Sequence, residues 1–172
     1  HAAYEIILGN VDFTNVRVYR VPGGKWKYLL FDVEACWRGL DKTPLEYYIK
    51  PVTGKVQGFR HEPLNALLNV PEYKAKFLAR VAELLETRFQ WPYVEARFDE
   101  VIDQLESILP RHIERWDNMK LKNWHTNISA TKYYARVRPR KIPELLKKAM
   151  KLTNAEVETY FGEVLELLEV TN

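Results

Sequence analysis

The sequence predicts one mainly α-helical α+β domain over residues 1–172, with a single β-hairpin and about five to seven helices. Three observations lead to this fold class. Two short runs rich in β-branched and aromatic residues flank the turn sequence Pro22–Lys25. Residues 38–62 show no sustained period, whereas from Pro63 onward apolar residues recur at three- and four-residue steps. A chain of 172 residues that is 47% hydrophobic can also bury a substantial core.

The first predicted element is a helix from His1 to Leu8, whose residues are apolar and compatible with a helix. Gly9 follows and can end it, because glycine readily adopts the left-handed conformation found after helices. The chain opens with His rather than Met, so we expect the start to be a cut, a tag remnant or a domain boundary.

The hairpin is the second element. With Pro22–Lys25 as a four-residue loop, Val21 pairs with Trp26, and continuing this register places Asn15 opposite Asp32. A slip of one residue would turn every side chain to the other face. The predicted register collects four apolar side chains on one side of the ribbon: Val16, Val18, Leu29 and Phe31.

The stretch 38–62 is predicted to be a long irregular loop, because prolines and glycines interrupt it. A minor hairpin between Tyr47–Lys50 and Lys55–Phe59 would fit within it. A loop of this length in a compact domain is more often functional than accidental, so it could bind substrate or cover a cleft.

Prolines mark the beginnings of the next helices. Pro71 suits the first position of one helix and Pro92 the start of another. We expect the inner face of the second to consist of Val94, Phe98, Val101, Ile102, Leu105 and Ile108.

Further helical pieces follow Pro110. Lys132–Val137 and Ile142–Leu152 are predicted as two short helices, and Thr153–Glu156 has the composition of a cap for a last helix. The basic run Tyr134–Lys141 is interpreted as a solvated helix end, with a contact to phosphate or to an acidic substrate as the alternative.

Bulk properties exclude several functions. The formal net charge is +3 and the charges are interspersed, so we expect no nucleic-acid binding through a basic face. No run of about 18 apolar residues exists, so no membrane span is predicted. Cys36 is the only cysteine, which excludes an internal disulfide, and it is predicted to be a small buried residue rather than a nucleophile.

Common catalytic motifs are also absent from the sequence. It contains neither a glycine-rich phosphate loop nor a Gly-x-Ser-x-Gly elbow, and its four histidines are scattered. The oxygen-bearing side chains around the hairpin are therefore the one remaining chemical constellation. Asp32, Asn15 and Glu34 could supply the incomplete oxygen set that Mg²⁺ prefers, and Asp12 could act as a general base. The alternative is that Asp12 and Asn15 are turn residues and that Asp32 merely ends a strand.

Two segments resemble a known family. Residues 9–20 read GNVDFTNVRVYR, and residues 24–34 read GKWKYLLFDVE. They are similar to the N-x-D-x-x-N and G-K-W…D-x-D-W signatures of the spore coat protein H (CotH) kinase family. The later segments at Pro63–Leu68, Pro71–Arg80 and Pro110–Trp116 also resemble family segments, and the likeness covers most of residues 4–150.

The resemblance implies the large lobe of an atypical protein kinase that uses ATP and Mg²⁺ to phosphorylate serines on bacterial spore-coat or cell-surface proteins. It assigns Asp12 to the catalytic aspartate and Asn15 and Asp32 to metal binding. Glu34 stands where the family usually has Asp, and Ala35 replaces the following Trp. The family's small lobe would precede His1, so we expect these residues alone to be inactive or very weakly active.

Two other function classes remain open at the level of sequence. A binding or adhesion module could keep this fold without the chemistry, and the departures at Glu34 and Ala35 leave room for it. A metal-dependent phosphohydrolase could use the same acids, but it would need further carboxylates that converge on the site.

Overall fold

The computed structural model describes residues 1–12, 16–40, 45 and 62–171. This part of the chain is mainly helical and contains one two-stranded antiparallel sheet, so the predicted class is confirmed. The predicted minor hairpin within 38–62 and residue Asn15 lie outside the described residues. The elements are α1 (Ala2–Leu8), β1 (Arg17–Tyr19), β2 (Lys27–Leu29), α2 (Glu62–Leu68), α3 (Pro71–Thr87), α4 (Trp91–Glu106), α5 (Leu109–Trp116), α6 (Leu121–Val137), a 3₁₀ helix (Arg138–Lys141), α7 (Ile142–Met150) and α8 (Asn154–Thr171).

Several helix ends lie where the local signals predict them. Gly9 follows α1 with φ of 67°, and its N–H donates to the carbonyl of Glu5. Pro71 is the first residue of α3. Thr153 and Glu156 form a reciprocal capping box before α8, in which each side chain accepts a hydrogen bond from the other residue's backbone N–H.

The hydrophobic core lies between α1, α3, α7 and α8. Four of its members, one from each helix, are Ile6, Leu78, Leu146 and Phe161, and all are fully buried. Close packing of large side chains is what gives such a core most of its stabilising effect. None of the helices that we describe is both long and apolar enough to cross a lipid bilayer.

Helices α4, α5 and α6 form a separate layer with little buried surface, which we call the arm (residues 91–137). No residue of α4 is buried. Val101 and Ile108 are 48% and 56% exposed, so the predicted inner face was wrong at these two positions. The remaining predicted positions, Val94, Phe98, Ile102 and Leu105, are half-buried.

Helix α6 begins at Leu121, whereas only Lys132–Val137 was predicted to be helical. Its first half carries few apolar residues, so the sequence shows no strong period there. In its second half, the Lys132 ammonium contacts α4, at 2.7 Å from an Asp99 carboxylate oxygen and 3.7 Å from one of Glu95.

The hairpin register differs from the predicted one by one residue. Arg17 pairs with Leu29, Val18 with Tyr28 and Tyr19 with Lys27, so the pairing predicted for this ribbon was wrong. The reason lies in the turn, where the Gly24 N–H donates to the Val21 carbonyl at 2.9 Å. Gly23 has φ of 72°, and a Pro-Gly pair at the centre of such a turn is typical of type II.

The shifted register redistributes the side chains of the ribbon. Val18 now shares a face with Tyr28, while Leu29 shares the other face with Arg17. The predicted apolar cluster therefore does not form, and every strand residue is exposed.

Candidate active site

Asp12 lies just beyond the end of α1, in a loop that a buried asparagine holds. Asn10 is 1% exposed, and its side-chain oxygen accepts a hydrogen bond of 3.0 Å from the Asp12 N–H. The Asn10 amide nitrogen also donates to the Asp12 carbonyl at 3.3 Å. The backbone of Asp12 is thus held at both its N–H and its carbonyl, and the residue is exposed.

A second buried polar residue lies behind this loop. The Glu5 side chain is on the inner face of α1, and its residue is 2% exposed. Burial raises the pKa of Glu5 above its ordinary value, while a hydrogen bond from the Asn10 side chain acts in the opposite direction. Glu5 and Asn10 therefore form a small polar cluster beneath the Asp12 loop.

Asp32 and Glu34 follow β2 in a segment of tight turns. Asp32 has φ of 55°, a left-handed conformation that aspartate tolerates better than most residues, and it is exposed. Glu34 is also exposed and lies in a turn that the Cys36 N–H closes by donating to the Val33 carbonyl at 3.0 Å. Ala35, the residue after Glu34, is buried.

One guanidinium joins the segment after Asp32 to the end of α1. Arg138 is fully buried, and its Nε and Nη2 donate to the carbonyls of Ile7 and Ile6 at 2.8 and 2.9 Å. Its Nη1 donates to the carbonyls of Leu40 and Gly39 at 2.8 and 3.2 Å. A single side chain therefore satisfies carbonyls at the C-terminus of α1 and in the loop that follows the Asp32 segment.

Three further contacts strengthen this junction. The Trp37 N–H donates to the Leu8 carbonyl at 3.1 Å, and the Trp37 ring meets the Phe89 ring edge-on with centroids 6.2 Å apart. Gly9 lies directly against Arg138, since a Cβ there would come within 2.6 Å of the guanidinium carbon. The structure thus anchors the loops that carry Asp12 and Asp32 on the same end of α1.

The interpretation of Arg138 as part of a solvated helix end was wrong. Pro139, between Arg138 and Arg140, is the sequence signal that could have argued against a solvated helix end, because proline interrupts the helical period. Arg140 also serves a helix end, since its Nη2 donates to the Leu168 carbonyl at 2.8 Å near the C-terminus of α8.

Cys36 is half-buried next to these residues. Burial raises the pKa of its thiol to about 11, so the sulfur is protonated and weakly nucleophilic at neutral pH. Cys36 was predicted to be a small buried residue, whereas it is only half-buried.

Three of the four predicted site residues lie within the described part of the chain. Asp12, Asp32 and Glu34 are all exposed on the two anchored loops, and Asn15 lies outside that part. Among the described residues, no group of three or more His, Cys, Asp or Glu side chains converges closely enough to hold a metal ion. Sequence reasoning did not find Arg138 and Trp37, which hold the loops.

Residues 1–142 match the family described as CotH kinase protein. The chain therefore belongs to the CotH kinase family, as its two hairpin motifs predicted. Neither the curated proteins nor the solved structures gave a significant match.

Proposed function

We propose that this chain is the large-lobe part of an atypical protein kinase that transfers phosphate from ATP to serine hydroxyls of spore-coat or other bacterial surface proteins. The observation that carries the proposal is the common anchorage of two acidic loops, through Arg138 and Trp37, in a member of the CotH kinase family. Phosphoryl transfer depends mostly on positioning and on electrostatic stabilisation, which fixed loops supply.

Asp12 is proposed to orient the acceptor hydroxyl and to take its proton as the oxygen attacks. The residue suits this role because Asn10 fixes its backbone and the residue is exposed. A general base must lie within hydrogen-bonding distance of the proton it removes, so a fixed loop favours a productive geometry.

Asn15, Asp32 and Glu34 are proposed to hold Mg²⁺. The chemistry of this donor set fits, because carboxylate and amide oxygens are the hard ligands that Mg²⁺ prefers, and Asp32 and Glu34 are both accessible. When bound, the ion would offset negative charge on the ATP phosphates. The substitution of Glu for the usual Asp at position 34 makes Asp32 the more important of the two carboxylates.

Transfer of labelled phosphate from ATP to a serine-rich protein tests the proposal. It should be measured with a protein in which the family's small lobe precedes these residues. We expect Asp12→Asn and Asp32→Ala each to lower the transfer rate by at least about a hundredfold, because each removes a group that acts on the reacting atoms. Asp103→Asn, an exposed acid on α4, serves as the control and should leave the rate unchanged.

Unchanged transfer after Asp32→Ala would contradict the assignment of the metal site. Calorimetry separates the kinase from a binding or adhesion module on the same fold. The kinase should bind ATP only when Mg²⁺ is present, and an adhesion module should not bind it under either condition.

A further inference from the structure

The outer face of the hairpin carries a distinctive set of side chains. We define the outer face as Arg17, Tyr19, Lys27 and Leu29, which the observed register places on one side of the ribbon. The opposite side faces the body of the protein at Tyr28, whose ring centroid lies 5.3 Å from that of His1. The outer face therefore points away from α1, and Tyr19 and Leu29 are 43% and 45% exposed.

Positive charge is concentrated on the hairpin. Residues 16–31 contain four basic side chains and no acidic one. The described residues offer no ion pair to Arg17, Arg20, Lys25 or Lys27, and all four are exposed. Unneutralised cations close together repel one another, so a binding partner that brings negative charge would relieve this repulsion.

Aromatic rings hold two of these cations in place. The Arg20 guanidinium lies 5.1 Å from the centroid of the Trp26 ring, and that of Arg17 lies 5.7 Å from the Phe31 ring. Trp26 is nevertheless 63% exposed. Trp, Tyr and Arg are the residue types that contribute most to protein interfaces, and the hairpin exposes all three, although Arg20 and Trp26 follow the strand positions of the opposite face.

We propose that this outer face docks an acidic, extended polypeptide segment. Negative side chains of the segment would meet Arg17 and Lys27, while Tyr19 and Leu29 would cover its apolar atoms. Among the described residues no third strand pairs with this sheet, and strand edges are surfaces to which an extended chain can add. A lipid headgroup could use the charges but not these edges, which favours a polypeptide.

The position of the ribbon connects this surface to the candidate active site. β1 follows the loop of Asp12, and β2 ends at Leu29, shortly before Asp32. A segment bound here would present neighbouring serines to that site. The identification of the docked segment as the phosphate acceptor rests on the proposed function, whereas the docking surface itself does not.

Fluorescence anisotropy with a labelled Glu/Asp/Ser peptide tests the proposal, using residues 1–172 without nucleotide or divalent cation. The matched control peptide has Gln and Asn in place of the acids. We expect the acidic peptide to bind at least about tenfold more tightly, and we expect this preference to weaken as salt screens the charges.

Charge reversal at the outer face, R17E with K27E, should weaken binding of the acidic peptide by about tenfold or more. The milder pair R17Q with K27Q should weaken it by about threefold and guards against misfolding of the first variant. The control pair K122E with K148E changes the net charge equally at exposed positions elsewhere and should stay within about twofold.

Two results of the peptide assay would overturn the proposal: equal binding of the two peptides, or unchanged binding in both outer-face variants. Two results with other partners would also overturn it: outer-face-dependent binding to anionic phosphatidylglycerol vesicles that the peptide does not displace, or outer-face-dependent self-association in sedimentation. Asp12→Asn should retain peptide binding. Retained binding without any transfer by the complete enzyme would contradict the proposed function and leave the docking surface standing.

Discussion

At the scale of single residues, Gly9 and Arg138 depend on each other. Gly9 adopts φ of 67°, and it also lies where any Cβ would press on the guanidinium. The long side chain of Arg138 cannot easily move aside, because it is fully buried and four carbonyls accept its hydrogen bonds. Glycine is therefore required at position 9 for two physical reasons, backbone conformation and space.

The replacement Gly9→Ala should lower the free energy of unfolding by about 3 kcal/mol, from left-handed strain of about 1 kcal/mol and overpacking of about 2 kcal/mol. Gly23→Ala is the matched control, because Gly23 has φ of 72° but open space around it. It should cost only about 1 kcal/mol. Urea unfolding of both variants measures the difference. Equal losses of stability in the two variants would show that the contact between Gly9 and Arg138 does not affect the free energy of unfolding.

At the scale of elements, the start of α8 is held by local hydrogen bonds and by an ion pair with α3. Glu156 accepts hydrogen bonds from the backbone and hydroxyl of Thr153, and its other oxygen lies 2.8 Å from the Lys74 ammonium. The hydrogen bond from Lys74 is the main reason that the pKa of Glu156 falls to about 2, and those from Thr153 add to it. The carboxylate is well hydrated, so solvent weakens the effect on stability.

The pKa of Glu156 is depressed in the folded state, so its contribution is complete above the unfolded value near 4.5 and disappears as the pH falls towards 2. The difference in free energy of unfolding between the wild type and Glu156→Gln should therefore be constant above about pH 5 and shrink below it. Denaturant titrations between pH 7 and pH 2 measure this difference. In the Lys74→Met variant, the effect of Glu156→Gln on the free energy of unfolding should depend less on pH. An equally strong pH dependence in that variant would contradict the role of Lys74.

At the scale of the whole molecule, stability is unevenly distributed. The core between α1, α3, α7 and α8 contains fully buried aromatic and aliphatic side chains, whereas the arm contains few buried residues. Charged groups account for part of the contact between α4 and α6, and exposed ion pairs contribute little free energy. The arm should therefore open more readily than the core.

Phe161→Ala should cost about 3–5 kcal/mol, because it leaves a cavity in the centre of the core. Phe98→Ala in the arm removes the same atoms from a half-buried position and should cost about 1–2 kcal/mol. Chemical denaturation measures both losses, and amide hydrogen exchange should be faster in α4 and α6 than in α3 and α8. Similar losses for the two variants would contradict the uneven distribution.

Local chemistry accounts for the parts of the fold that could be predicted from the sequence. Gly9, Pro71 and Thr153 each act through neighbours in the chain, and each lies at the expected helix boundary. The register was predicted one residue out because the hydrogen bond of the turn, rather than the loop length assumed from Pro22–Lys25, determines the pairing. The first half of α6 was missed because it carries few apolar residues and so shows no strong helical period.

In the candidate site, too, local features could be predicted from the sequence and long-range contacts could not. The acids at Asp12, Asp32 and Glu34 could be identified from motifs, because their residue types and spacing carry the chemistry. The role of Arg138 could not be identified in this way. Its acceptors, such as the carbonyls of Ile7 and Leu40, are far from it in sequence, so only the folded chain brings them together.

Because Arg138 links the end of α1 to the loop that follows the Asp32 segment, the positions of the two acidic loops depend on one side chain. The 3₁₀ helix that carries this residue connects α6 directly to α7. A rotation of either helix about that connection would pull on both loops at once, so their alignment would be lost or restored as a unit. Random mutagenesis of the region around Arg138 should therefore yield few variants in which one loop alone is impaired, and many in which both are.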